Sequence, residues 1–169
     1  MKCYIFDIDG TLADCSHRLH HIQKQPKDWG AFFAECYLDA PHTHIIDLAC
    51  HLRNAGGARI VYVSGRSDQC RYQTQEWLDR HGLPSGPLYM RKAGDHRDDD
   101  IIKIELLAEL RADGFEPVMA FDDRDRVVAA WRAAGIPCAQ VAEATLIRQN
   151  QHGRSSSTGT TGTAEHAER

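Results

Sequence analysis

The sequence predicts an α/β fold, with a parallel five-stranded sheet, helices on both faces and a small helical cap. Two observations carry this. Short apolar runs without polar alternation recur between segments of helical periodicity, which is the pattern of strands buried on both faces. The helical segments are followed closely by glycine at Gly56, Gly82, Gly114 and Gly135, where a left-handed residue closes a helix.

Taken in order, residues 3–6 form the first expected strand, which ends at Asp7. Residues 60–63 form the second, ending at Ser64, and residues 88–90 a weaker third. Residues 118–121 form the fourth, ending at Asp122, and residues 138–141 the fifth. Helices are expected over 43–54, 70–81, 99–112 and 125–134; in the third of these, Ile102, Leu106 and Leu110 make one apolar stripe. Residues 15–42 interrupt the alternation and form the expected cap. From Asn150 to Arg169 there is no large apolar side chain to bury, so the expected folded unit is 1–148 and 149–169 a disordered tail. No internal repeat is present.

Composition narrows the class. A chain of 169 residues, 42% hydrophobic and 26% charged, suits one globular domain with its own core. No apolar run approaches the roughly 20 residues that span a bilayer, and Asp7 falls where a signal peptide is still apolar. Membrane insertion and secretion are therefore not expected. A net charge of -4 disfavours coating long stretches of nucleic acid but leaves room for a local basic cleft. Six cysteines (Cys3, Cys15, Cys36, Cys50, Cys70, Cys138) without a CxxC pair read as free thiols in a reducing cytoplasm.

Open α/β sheets bind ligands at the carboxyl ends of their strands, and three expected strands end in Asp7, Ser64 and Asp122. In Asp7-Ile8-Asp9-Gly10-Thr11, alternation puts Asp7 and Asp9 on one side and Ile8 on the other, and Gly10 permits a sharp turn. Carboxylates this close repel unless a cation lies between them or one keeps its proton. The run Asp122-Asp123-Arg124-Asp125 is a second acidic cluster behind an apolar strand. Asp7, a main-chain carbonyl near Asp9, and Asp122 make an oxygen-rich half-shell suited to Mg²⁺, while Asp123 or Asp125 alternatively caps the next helix. Ser64-Gly65-Arg66 offers a hydroxyl and main-chain amides to a phosphate oxygen. Lys103, by composition alone, reads as a solvated helix lysine. His17, His20 and His21 make an HxxHH run but lack the regularly spaced cysteines of a zinc site, so they read as surface or cap imidazoles.

These four motifs, in this order over residues 5–125, resemble the haloacid dehalogenase superfamily of phosphohydrolases, whose Rossmann-like sheet fits the fold predicted above. Residues 91–103, 122–132 and 135–142 are similar to the 3′-phosphatase domain of phage-type polynucleotide kinase–phosphatase. The resemblance implies a Mg²⁺-dependent phosphomonoesterase with Asp7 as nucleophile and Asp9 as acid and base. It further implies metal held by Asp7, Asp9, Asp122 and Asp123, and phosphate held by Arg18, Ser64, Gly65, Arg66, Arg91 and Lys103. The implied substrate is a 3′-phosphate on a DNA or RNA end. A nucleotide or small-molecule phosphatase is the alternative, and a non-catalytic end-binding partner of a separate kinase or ligase a further one. Two departures stand out. Residues 17–42, with Trp29, Phe32, Phe33 and Tyr37, are unlike the family's cap, and no GxxxxGK[ST] kinase motif occurs. Those aromatics either build a cap core, as expected first for Phe32 and Phe33, or stack a base, as expected for Trp29, Phe32 or Tyr37.

Overall fold

The computed structural model describes residues 1–142. The end of the expected folded unit, 143–148, and the expected tail, 149–169, lie outside the described residues.

Five parallel strands form the main sheet: β1 (Lys2–Phe6), β4 (Arg59–Ser67), β5 (Leu88–Arg91), β6 (Glu116–Asp122) and β7 (Cys138–Gln140). Their spatial order is β5-β4-β1-β6-β7. Alternation within each strand feeds two cores. Cys3 and Ile5 of β1 and Val61 and Val63 of β4 pack with Ile102, Leu106 and Leu110 of helix α5 (Asp99–Ala112) and with Val127, Val128 and Trp131 of α6 (Asp125–Ala133). Phe6, Ile60 and Tyr62 face the other way, onto Ile45, Ile46 and Ala49 of α3 (Thr43–Asn54) and Trp77 and Leu78 of α4 (Arg71–Arg80). The predicted parallel sheet with helices on both faces is therefore present, and both faces are dry enough to need no polar alternation.

The strand order reverses between β1 and β6, and ligands in open sheets lie at such a point, outside the carboxyl ends of the strands. Asp7 follows β1 and Asp122 ends β6. The ladder carries past the end of β1, because the Asp7 amide donates to the Phe121 carbonyl over 3.0 Å. That bond brings the two acidic runs together.

Between β1 and α3 the chain builds the cap. Two short antiparallel strands, β2 (Ala13–Asp14) and β3 (Ala40–Pro41), close its base. Above them lie a 3-10 turn at Ser16–Arg18, α1 (His20–Gln23), α2 (Trp29–Ala34) and a 3-10 turn at Cys36–Leu38. Cys15, Leu19 and Phe32 form its small buried core, with Ile22 and Phe33 packed against them. The β2–β3 pair was not expected from sequence, since two-residue strands leave no periodicity to read.

One boundary differs in a way that matters. The second strand was expected to stop at Val63, where the apolar run ends, but β4 continues to Ser67. Ser67 pairs with Arg91 of β5 across a register irregularity that begins at Ser64. Ser64, Gly65 and Arg66 are thus strand residues, not loop residues. Polarity ends the apolar run, yet the strand continues, with the Arg66 charge met by Asp9 and Asp39.

Candidate active site

Asp7 and Asp9 both line a cleft of about 910 Å³ between the sheet edge and the cap. Ile8, between them, is buried in the core on the α3–α4 side. The turn that follows depends on Gly10, whose φ of +87° suits glycine. A Cβ there would fall 2.2 Å from Asp123 Oδ2, so the same glycine also makes room for the second acidic run.

Two charge clusters meet here. In the first, Lys103 Nζ lies 2.8 Å from Asp7 Oδ1, 2.8 Å from Asp122 Oδ2 and 3.6 Å from Asp99 Oδ2. Lys103 is 1% exposed, so the solvated lysine that composition suggests is overturned. Burial alone would lower its pKa, but Asp122, Asp7 and Asp99 together raise it well above the ordinary value, and it stays charged. Asp122 Oδ2 also accepts from Trp131 Nε1 at 3.2 Å. Asp7 shifts up: burial pushes its carboxyl well above the ordinary range, Lys103 pulls it back, and Asp122, Asp123 and Asp99 add to the rise. Burial and then Asp122 push Asp123 up to about 7.

The second cluster surrounds Asp9. Arg66 Nε and Nη2 donate to Asp9 Oδ1 at 2.8 and 2.6 Å, and Arg18 Nη2 donates to the same oxygen at 2.7 Å. Burial favours the neutral acid, but Arg66 and then Arg18 outweigh it and hold Asp9 down at about 2. Behind them stands Asp39, buried at 2% exposure, which accepts from Arg18 Nε and Nη2 at 2.7 Å each and from Arg66 Nη2 at 2.6 Å. His17 Nε2 lies 2.9 Å from Asp39 Oδ1. The remaining guanidinium nitrogens, Arg18 Nη1 and Arg66 Nη1, donate to the Phe32 carbonyl and Thr74 Oγ1. Both arginines, expected around a phosphate, are therefore occupied by protein acceptors.

Ser64 is fully buried, and its Oγ accepts from the Arg66 amide at 3.2 Å. Gly65 and Arg91 line the cleft. Arg91 Nε donates to the Gly65 carbonyl at 2.9 Å, and its Nη2 to Asp99 Oδ1 at 3.1 Å. Arg124 Nη1 reaches Asp99 Oδ2 at 3.0 Å. Asp39, Asp99 and Arg124 were absent from the expected site. Arg124 stands within the Asp122–Asp125 run, and Asp99 lies one helical turn before Lys103. Asp39 carries no sequence signal.

The donor set bears on a cation. Among the described residues, Asp7, Asp122 and Asp123 offer carboxylate oxygens that all lie within 4.8 Å of one another. Asp123 Oδ1 is buried without a hydrogen-bond partner. Three crowded, buried carboxylates with one orphaned oxygen fit a hard divalent ion. The Asp9 carboxylate, by contrast, is taken by the arginines.

A family model for the polynucleotide kinase PNKP phosphatase domain matches residues 1–146. The chain belongs to that family. It is thus a phosphatase domain of the haloacid dehalogenase type, as its motifs implied. A protein of Autographa californica nuclear polyhedrosis virus, named as a bifunctional polynucleotide kinase/RNA ligase, is 28% identical over 137 residues, 80% of this chain and 18% of its own length. A solved structure of a Pnkp1/Rnl/Hen1 complex superposes with a TM-score of 0.71 at 28% identity, covering 84% of this chain and 46% of the other. The class C acid phosphatase of Bacillus anthracis, at 18% identity and a TM-score of 0.57, covering 83% of this chain and 68% of its own, shares the fold. The chain thus spans less than a fifth of the viral relative and less than half of the solved chain. Among the described residues no helix is long and apolar enough to cross a membrane.

Proposed function

We propose that this phosphatase removes 3′-phosphates from polynucleotide ends with Mg²⁺ as cofactor and Asp7 as nucleophile. The observation that carries the chemistry is the setting of Asp7, a buried carboxylate at the cleft with Lys103 Nζ at 2.8 Å and the carboxylates of Asp122 and Asp123 crowded beside it. Asp7, Asp122 and Asp123, with a main-chain carbonyl near Asp9, would hold Mg²⁺, which when bound supplies positive charge against the phosphate oxygens.

Asp7 attacks phosphorus and forms an aspartyl-phosphate, while the leaving alkoxide takes a proton from Asp9. Asp9 then takes a proton from the water that releases phosphate. The arginines bear on the second of these roles. In the resting site they hold Asp9 ionised. That charge state suits the second role, in which Asp9 accepts a proton from water, while Arg18 and Arg66, buried behind it, stay on Asp9 and Asp39. Lys103 and Arg91 supply positive charge to the transferring group, and the Ser64 hydroxyl and the Gly65 amide supply hydrogen bonds.

The polynucleotide end as substrate rests on the family and on relatives named for polynucleotide kinase, RNA ligase and RNA repair. No GxxxxGK[ST] motif lies in these 169 residues, so a kinase or ligase would act from elsewhere, on a partner or another segment. Six free cysteines suit a reducing cytoplasm. A panel of 3′- and 5′-phosphorylated oligomers, mononucleotides and sugar phosphates, each at two salt concentrations, tests the reading. Oligomers with a 3′-phosphate should show the highest kcat/KM, and their advantage should shrink as salt rises. If mononucleotides or sugar phosphates match them, the enzyme is instead a small-molecule phosphatase.

A further inference from the structure

The cap carries a surface that the chemistry at Asp7 leaves unused. Trp29 is 41% exposed, whereas Phe32 beside it is buried. The indole stacks on Phe33 with ring centroids 5.9 Å apart and planes at 26°, and meets Phe32 edge-on at 5.7 Å. The Arg18 guanidinium covers the Phe32 ring at 4.1 Å from its centroid. An aromatic stack therefore runs outward from Arg18, which grips Asp9, to an indole that the cap core does not enclose. Of the aromatics that sequence offered for stacking, Phe32 is spent inside the cap, and Tyr37 does not line the cleft.

Trp29 also marks a boundary. It lines the cleft that holds Asp7 and Asp9, and it lines a second concavity formed by residues 24–30. Lys24 and Lys27 stand in that second concavity, and Lys27 Nζ lies 5.7 Å from the indole centroid. A π-surface at the cleft, with one ammonium group over it and a second in the adjoining concavity, matches a base followed by phosphodiesters.

We infer that Trp29 is the stacking platform for the terminal nucleobase of a phosphorylated single strand, and that Lys27 and Lys24 receive the next phosphates as the strand leaves the cleft. The inference rests on the polynucleotide reading above and adds to it the path of the strand. Stacking of this kind tolerates any base, so the cap selects for a nucleic-acid end and not for its sequence.

The test compares a 3′-phosphorylated trinucleotide with glycerol phosphate, which has no ring to stack. Trp29→Ala should lower kcat/KM for the trinucleotide about tenfold more than for glycerol phosphate, and Trp29→Phe should restore most of the difference. Lys27→Ala and Lys24→Ala should each flatten the dependence of log kcat/KM on log salt, by about 0.7 for a lost single-strand phosphate contact. A binding readout is available because Trp77 and Trp131 are buried, which leaves Trp29 as the exposed tryptophan. In an Asp7→Asn background, the 3′-phosphorylated trinucleotide should quench indole emission and shield it from acrylamide. A wild-type preference for the trinucleotide that survives Trp29→Ala intact, with no change in emission on binding, overturns the platform and leaves the polynucleotide reading standing. Absence of any wild-type preference overturns both.

Discussion

Asp39 and Arg66 are joined behind the reaction centre: Arg66 Nη2 donates to Asp39 Oδ2 over 2.6 Å, and the same nitrogen donates to Asp9 Oδ1 over 2.6 Å. Arg18 makes the same pair of contacts at 2.7 Å each. Two guanidiniums thus face two carboxylates, one from the turn after β1 and one from the base of the cap. Charge balance in a buried group of four is what permits arginines to sit at 0% and 1% exposure.

Removal of Asp39 should show this directly. Asp39→Ala leaves two buried guanidiniums with Asp9 as their remaining carboxylate, and loss of one partner from a buried ion pair costs about 3–5 kcal/mol. The denaturant midpoint should fall accordingly, and Asp39→Asn, which keeps an acceptor, should fall less. A loss under about 1 kcal/mol for Asp39→Ala, far below that range, would show that the cluster does not hold the cap to the sheet.

How much of this was legible follows from the range of each signal. Asp7 and Asp9 were readable because strand alternation and Gly10 are local, and the structure puts both at the cleft with Ile8 opposite. The helix over 99–112 was readable from one apolar stripe and is found with those bounds. Asp39 was not, because its meaning lies in arginines 21 and 27 residues away in the chain. Lys103 shows the limit from the other side. Composition makes it a solvated lysine, family resemblance makes it a site residue, and burial among Asp7, Asp99 and Asp122 supplies the physical reason. The polar end of β4 was not readable for a similar cause, since Ser67 pairs with Arg91 on a strand distant in the chain.

The division of labour between Asp7 and Asp9 is separable by leaving group. Asp7→Asn should abolish turnover. Asp9→Asn should slow an alkyl phosphate by roughly 10²–10⁴, the usual contribution of a positioned acid. With an activated aryl phosphate the Asp9→Asn loss should shrink, because that leaving group departs without a proton. Equal losses on both substrates would remove Asp9 from its role as acid.

The crowded acids predict how the metal behaves. Mg²⁺ should restore activity after chelation, and Ca²⁺ should do so poorly, given its longer and looser coordination. Mg²⁺ should also raise the melting temperature of the wild type, since an ion that binds the folded form stabilises it. Asp123→Asn should weaken that rise. Full activity in excess chelator, or stoichiometric zinc in the purified protein, contradicts the assignment.

Two glycines separate backbone strain from displacement of a functional side chain. At Gly10 an added Cβ meets both problems, a φ of +87° and Asp123 Oδ2 at 2.2 Å. Gly10→Ala should therefore lose both stability and turnover, the strain alone costing upward of about 1 kcal/mol. At Gly65 an added Cβ would fall 2.1 Å from Asp99 Oδ1, and the obstacle is a side chain. Gly65→Ala should push Asp99 off Arg91 and Arg124, the two arginines that it holds beside the cleft. The expected result is a loss of kcat/KM larger than the loss of melting temperature suggests. Replacing Asp99 with alanine in the same protein removes the obstacle, so the double variant should be no less stable than Asp99→Ala alone. If Gly65→Ala keeps full activity, Asp99 does not set the position of those arginines.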